Sequence, residues 1–440
     1  MIRKKFFMNV LPAMLAFAFT GIYAIVDGWF VGQNIGDNGL AAINIAYPIS
    51  ALIQAMASGI GMSGAIHIGI SMGENEKEKE KRYLGNTLML LIATCILLTA
   101  ILLLTYPIIL RAFGAKGELM EMAKIYIRII IIGGVFQMFS TGLVPIIRNY
   151  EGAMYAMGSM MAGFVTNVVL DWLFVSVWKW GMSGAAIATI VGQAVTMLPC
   201  IFFLVWKKLL IGYADYRPKS TVLKEIFLVG ISPFGLTLSP NLIIVILNKG
   251  AMVYGGVAAT ACYAVISYVV CVAQLLLQGV GDGAQPLISF YEGLKKRKEL
   301  KQIRFMTYAF SIVLAVFCIA WMYLCRNVFP VFFGVSVSVG AEVGVVLPIF
   351  LAGLLFFAYT RVTTAYFYAI KKNKYAYLLI YGEPVLMTLL ILCILGPVFG
   401  LYGVWYSVPV TQSIMAVISF VLIQIEKREH ENTWFLDVES

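Results

Sequence analysis

Oxygen-bearing side chains stand in this sequence where oxygen is costly to place. Asp27 lies near the end of an almost wholly apolar run over residues 6–31. Asn167 and Asp171 are four apart in Thr166-Asn167-Val168-Val169-Leu170-Asp171 and so share one helix face. Thr189 sits about two turns into the next apolar stretch. A carboxylate in mid-bilayer costs roughly 2.5–3.5 kcal/mol on insertion scales unless it faces a cavity or finds a partner. Two carboxylates, an amide and a hydroxyl at one depth suit a hard cation such as Na⁺, or a shared proton. Plainer alternatives stay open: Asp27 resting in water at the interface, and Asn167 serving as a hydrogen-bonding link between helices.

Such a constellation needs helices that cross a membrane to hold it. Of 440 residues, 61% are hydrophobic and 12% charged, with a mean hydropathy of +0.89, which leaves too few polar side chains to cover a water-soluble globule. About 20 apolar residues cross a bilayer as a helix. Windows of that kind fall at about 6–33, 40–72, 84–110, 125–147, 156–177, 183–206, 226–248, 256–290, 303–325, 345–370, 375–396 and 402–425, so about twelve spanning helices are expected. Met1-Ile2-Arg3-Lys4-Lys5 resembles the start of a signal peptide, but the apolar run after it is too long and shows no small-residue cleavage pattern, so it reads as a retained first helix. The seven cysteines have no paired spacing and read as packing residues. No Gly-x-x-x-x-Gly-Lys-Ser/Thr loop occurs, against direct drive by ATP, and no aspartate-rich diphosphate motif, against a prenyltransferase.

Basic residues orient the chain. With both termini cytoplasmic, the inner segments collect clusters such as Arg3-Lys4-Lys5, Lys77 to Arg82, Lys207 to Lys224, Lys295 to Arg304 and Lys371 to Lys374. The outer segments keep only Arg111, Lys116, Lys124, Arg128, Lys179, Lys249 and Arg326. The net charge of +10 is then matched to anionic lipid and calls for no nucleic acid.

The chain also repeats. Phe113-Gly114 and Phe333-Gly334 are 220 apart, as are Gly73 and Gly293; Gly181-Met182-Ser183-Gly184 and Gly400-Leu401-Tyr402-Gly403 are 219 apart, and Pro12 and Pro233 are 221 apart. The expected fold is an all-α polytopic membrane protein of two pseudo-symmetric six-helix lobes, residues 1–206 and 226–425, joined by a basic cytoplasmic linker at 207–225 and followed by a tail at 426–440. In that register Asp27 corresponds to Asn248. Other polar residues inside the windows, Gln54, Gln137, Asn248, Gln274 and Gln278, could line a path or bond a neighbouring helix. Arg361 and Glu383 either pair or bind substrate, and pairing is the favoured reading. Asp282 is expected close to the inner surface and hydrated, and His67 is expected to be a packed residue.

Several stretches together resemble one family. Asp27-Gly28-Trp29-Phe30-Val31-Gly32, the Gly-Leu-Ala-Ala of residues 39–42, Asn167 through Asp171, Gly279 to Gly293 with Gln285-Pro286-Leu287-Ile288-Ser289, and Phe399-Gly400-Leu401-Tyr402-Gly403-Val404-Trp405 are similar to the multidrug and toxic compound extrusion (MATE) family, with the bacterial DNA-damage-inducible or MepA-like subgroup the nearer comparison. The resemblance implies a twelve-helix, two-lobe antiporter of the bacterial inner membrane. Such a protein exports organic, often cationic or lipophilic compounds against inflowing Na⁺ or H⁺. It works as a monomer, without a cofactor and without being an enzyme. It also implies that the cation site falls on Asp27, Asn167, Asp171 and Thr189. A second-lobe site used by some members, a glutamate of helix seven with an aspartate of helix ten, has no counterpart, since Asn248 stands in the seventh window and the tenth holds no acid. The runner-up is a flippase for a lipid-linked saccharide.

Overall fold

A straight helix of 74 residues would run about 110 Å, more than three times the hydrocarbon thickness of a bilayer. The chain contains such a stretch, Ser220–Gly293, and it is broken at Gly256, whose φ of 66° and ψ of −155° end one helix and begin another. The computed structural model describes residues 2–209 and 212–438, so positions 210–211 of the expected linker and 439–440 of the expected tail lie outside the described residues.

The helices are α1 (Ile2–Ile35), α2 (Asp37–Glu74), α3 (Lys77–Ala112), α4 (Gly117–Ile132), α5 (Gly134–Asn149), α6 (Ala153–Asp171), α7 (Gly181–Trp206), α8 (Ser220–Gly293), α9 (Arg297–Leu324), α10 (Phe329–Phe332), α11 (Val337–Ala369), α12 (Asn373–Leu389), α13 (Gly396–Phe399) and α14 (Leu401–Val438). Among the described residues there is no strand. Ten of these segments are long and apolar enough to cross a membrane, and the bent pair α4 and α5 forms an eleventh span. Both halves of α8 exceed spanning length, which brings the spans to the expected twelve. Where the sequence read one uninterrupted window at 125–147, the structure turns by 53° at the Gly133-Gly134 pair.

The expected internal repeat is written in the backbone. Left-handed residues recur at Gly36 and Gly256, Asn75 and Lys295, Gly114 and Gly334, Glu151 and Lys371, each pair 220 apart, and at Gly181 and Gly400, 219 apart. Widened π turns recur as well, at Trp172–Val177 after α6 and at Leu390–Leu395 after α12, 218 apart. Backbone irregularities of this kind are costly for residues other than glycine, so their recurrence marks two copies of one chain path.

The chain forms two compact units, Met1–Leu238 with Gly283–Leu300, and Ser239–Asp282 with Lys301–Ser440. In the first, α2, α3, α4, α5 and α7 bury a continuous core that includes Ile53, Leu91, Ile127, Ile131 and Ala185. Asn86 of α3 holds the segment before α8, donating to the Asp215 carbonyl at 3.2 Å and accepting from the Lys219 amide at 3.1 Å. His67 is packed as expected: its Nδ1 lies 2.9 Å from the Ser63 carbonyl, and its ring stacks on Tyr83 with centroids 4.6 Å apart. At the ends of α2 and α8 backbone meets backbone, since a Cβ on Gly73 would fall 2.2 Å from the Phe290 carbonyl oxygen and one on Gly293 would fall 2.1 Å from that of Ile70.

The second unit centres on a group of aromatic rings. Trp405 of α14 lies 6.2 Å from Tyr263 of α8 and 5.9 Å from Phe350 of α11, centroid to centroid. In the same unit, Arg304 Nη1 meets the Glu426 carboxylate at 3.3 Å, and Tyr366 donates to the other Glu426 oxygen at 3.0 Å. Both charged residues are buried. The last helix continues through the expected tail to Val438.

Candidate functional site

Two helices can bring short polar side chains together only if nothing bulky separates their backbones. At the crossing of α6 and α7 the sequence supplies Gly163 and Gly192: a Cβ on Gly192 would lie 2.9 Å from the Gly163 carbonyl oxygen and 2.9 Å from the Asn167 Cβ. That contact places Asn167, one turn past Gly163, against the helix that carries Thr189. Asp171 follows one turn later at the last residue of α6, just before the π turn widens the helix.

The first helix closes the site. α1 packs against both α6 and α7. Its register is set beyond the site by Asn34, whose amide donates to Ser176 Oγ at 3.0 Å in the π turn and whose carbonyl oxygen accepts from Lys179 at 3.0 Å. Asn34 is seven residues after Asp27, hence on the same face of α1, so this clamp turns Asp27 inward. The carboxyl groups of Asp27 and Asp171 consequently approach each other. The aromatic cluster of Phe174, Trp178 and Trp180, with centroids 4.7–5.2 Å apart, packs the end of the span next to the clamp.

Asp27 is 8% exposed, Asn167 2% and Asp171 0%. Asp27 Oδ1, both Asp171 oxygens and Asn167 Oδ1 accept no hydrogen bond of ordinary length and angle from the protein and Asn167 Nδ2 donates none, although Asn167 and Asp171 come near each other. A buried polar group left in that condition costs about 1–3 kcal/mol. Gathered in one place, the four oxygens among these atoms form a set of acceptors that a bridging proton or small cation would satisfy. Among the described residues no group of three or more His, Cys, Asp or Glu assembles, so the set lacks the charge of a tight divalent-metal site.

Thr189 belongs to the same cluster, and two phenols that sequence reasoning missed reach it. Tyr23 donates to Thr189 Oγ1 at 3.4 Å, and Tyr126 of α4 comes to the same threonine and into the field of both carboxylates. Tyr23 is four residues before Asp27 and could have been found from helical spacing. Tyr126 carries no such signal, because only the packing of α4 on α7 brings it in.

The other candidates are dispersed. In the first unit Gln54 is half-buried on α2, and Gln137 of α5 leans on Ser50 of α2, 3.4 Å from its hydroxyl, as an interhelical link. In the second unit Asn248, Gln274 and Gln278 are half-buried along α8. Arg361 and Glu383 make no ion pair, which corrects the favoured reading of the sequence. The Arg361 guanidinium lies over the Phe357 ring at 4.7 Å, and Glu383 accepts from Gln412 Nε2 at 2.6 Å, so each charge feels the other without touching it. Sequence gives depth along α11 and α12 but not which faces turn together. Asp282 is likewise buried, 6% exposed, and accepts from Tyr368 at 2.5 Å instead of resting in surface water.

Comparison with known proteins agrees with this architecture. The MatE family model matches residues 12–173, the stretch that contains Asp27, Asn167 and Asp171. The multidrug export protein MepA of Staphylococcus saprophyticus is 22% identical over 418 residues, covering 94% of this chain and 92% of its own. Among solved structures, a MATE crystallised in complex with MaL6 superposes with a TM-score of 0.91 at 22% identity, covering 98% of this chain and 97% of its own. An outward-facing multidrug resistance MATE transporter of the MOP superfamily superposes with a TM-score of 0.90, again at 22% identity and with 98% and 97% coverage.

Proposed function

We propose that this chain, which is similar to MATE multidrug transporters along nearly its whole length, is a secondary active multidrug exporter of a bacterial inner membrane, coupled to cation inflow through Asp27 and Asp171. The observation that carries the reading is the pair of buried carboxylates from α1 and α6 that approach each other while three of their four oxygens go unserved by protein donors.

Binding of one cation between Asp27 and Asp171 draws α1 towards α6 and α7, with Asn167 and Thr189 supplying neutral oxygens. Release of the cation leaves two like charges facing each other in a medium of low polarity, which favours separation of the helices. A cation that binds one conformation better than the other shifts the equilibrium between them by that difference in affinity, and this is how a gradient is converted into alternating access. The two lobes, residues 1–206 and 226–425 about the linker 207–225, are the bodies that exchange inward and outward access, and the basic segments put both termini in the cytoplasm. Organic cations and lipophilic compounds are the cargo in this reading. The direct approach of the two carboxyl groups favours a proton, which can sit between two oxygens at hydrogen-bond distance, over Na⁺, which needs more ligands and more room.

Purified protein in vesicles loaded with a fluorescent cationic dye tests this. Imposing a pH gradient and a Na⁺ gradient in separate preparations should produce dye movement against its own gradient with the first. Movement with Na⁺ alone transfers the same site to Na⁺, and movement with neither removes cation coupling altogether.

A further inference from the structure

The structure holds a groove of about 360 Å³ between α1 and α6. One wall is a stripe on α1, Lys4, Met8, Leu11 and Leu15, at the spacing that keeps residues on one helix face; the other wall is Met154 and Met157 of α6. Met8 is 54% exposed, Leu15 42% and Met154 59%, on helices that cross the membrane. From Lys4 to Leu15 the helix rises about 16 Å, close to the roughly 15 Å depth of one leaflet of hydrocarbon. The groove therefore runs the depth of one leaflet, with a cation at one end.

That cation is available. Lys5, its neighbour, lies 3.7 Å from Glu151 in the turn before α6, whereas among the described residues Lys4 makes no ion pair. Its butyl stem can lie along the apolar groove while the ammonium reaches the headgroup layer. The three methionines give the walls unbranched, polarizable side chains that adjust to chains of different unsaturation.

We propose that this groove binds one anionic diacyl phospholipid, with an acyl chain lying between the α1 stripe and Met154 and Met157 and the headgroup phosphate against Lys4. Selectivity over a zwitterionic lipid comes from Lys4, because the positive group of a choline headgroup offsets the charge that the ammonium recognises. The assignment rests on the fold and on the membrane location of these helices, and it is independent of the cation-coupling scheme.

Native mass spectrometry of the full-length protein, exposed to equimolar phosphatidylglycerol and phosphatidylcholine with identical acyl chains, tests it. One retained phosphatidylglycerol is expected in about fivefold preference, the effect of a single basic residue near an anionic headgroup. Lys4→Gln should bring the preference close to parity and Lys4→Arg should keep it. Leu11→Trp, which fills the groove from a lipid-facing position, should reduce retention of both lipids while the gel-filtration profile stays that of the parent. Parity in the parent protein, or an undiminished preference in Lys4→Gln, would overturn the headgroup assignment. Displacement of the lipid by a transported dye would overturn the groove as a lipid site and make it a substrate site.

Discussion

Asp27→Asn separates the charge of the coupling site from its shape. The substituted amide occupies the volume of the carboxylate and brings two N–H donors to a place where both Asp171 oxygens lack one. Satisfying buried acceptors is worth about 1–3 kcal/mol, so the variant should unfold at or above the temperature of the parent protein in detergent. Transport should fail in a particular way. A tenfold cation gradient supplies about 1.4 kcal/mol, which permits up to tenfold dye accumulation for one-for-one exchange. With Asp27 neutral, a lone Asp171 no longer needs a cation to relieve repulsion, so the accumulation ratio should collapse to about one while dye still equilibrates down its own gradient. Vesicles with an imposed pH or Na⁺ gradient read the ratio directly, and a thermal melt of the same preparation reads the fold. Accumulation of dye by Asp27→Asn at the parent ratio would refute the argument.

Further expectations follow from the packing. Gly192→Leu must push α7 away from Asn167 and the Gly163 carbonyl, both of which a Cβ would meet at 2.9 Å; a loss of about 1–3 kcal/mol in stability and a weaker gradient response are expected, read by thermal unfolding and vesicle efflux. Asn34→Ala removes the links to Ser176 and Lys179, and should leave expression intact while lowering gradient-driven efflux, because α1 loses the clamp that turns Asp27 inward. Arg304→Met leaves the Glu426 carboxylate buried without its cation, although Tyr366 still donates to it, at a cost of about 3–5 kcal/mol measurable as a lowered melting temperature.

Much of the architecture was legible because the membrane imposes it. An apolar window of spanning length has few ways to fold other than as a helix, and an aspartate inside one draws notice by its cost. Asn167 and Asp171 could be joined in sequence by their spacing, and the twofold repeat by its fixed offset. What stayed hidden is rotational: sequence places a residue at a depth but does not say which neighbour its face meets. For that reason Arg361 and Glu383, at suitable positions on neighbouring helices, looked like a pair and instead turned to Phe357 and Gln412. Tyr126 shows the converse, a residue without local signal that tertiary packing delivers to the site. The bend at Gly133-Gly134 was missed because hydropathy does not register a change of direction.

The joint between the ends of α2 and α8 is made where Gly73 and Gly293 leave no side chain between the two main chains. Contact of that sort is held by dispersion forces that vanish within an ångström or so of parting. Such a seam stays shut or lets go entirely. Any bulk larger than a hydrogen atom at either residue would wedge it permanently ajar.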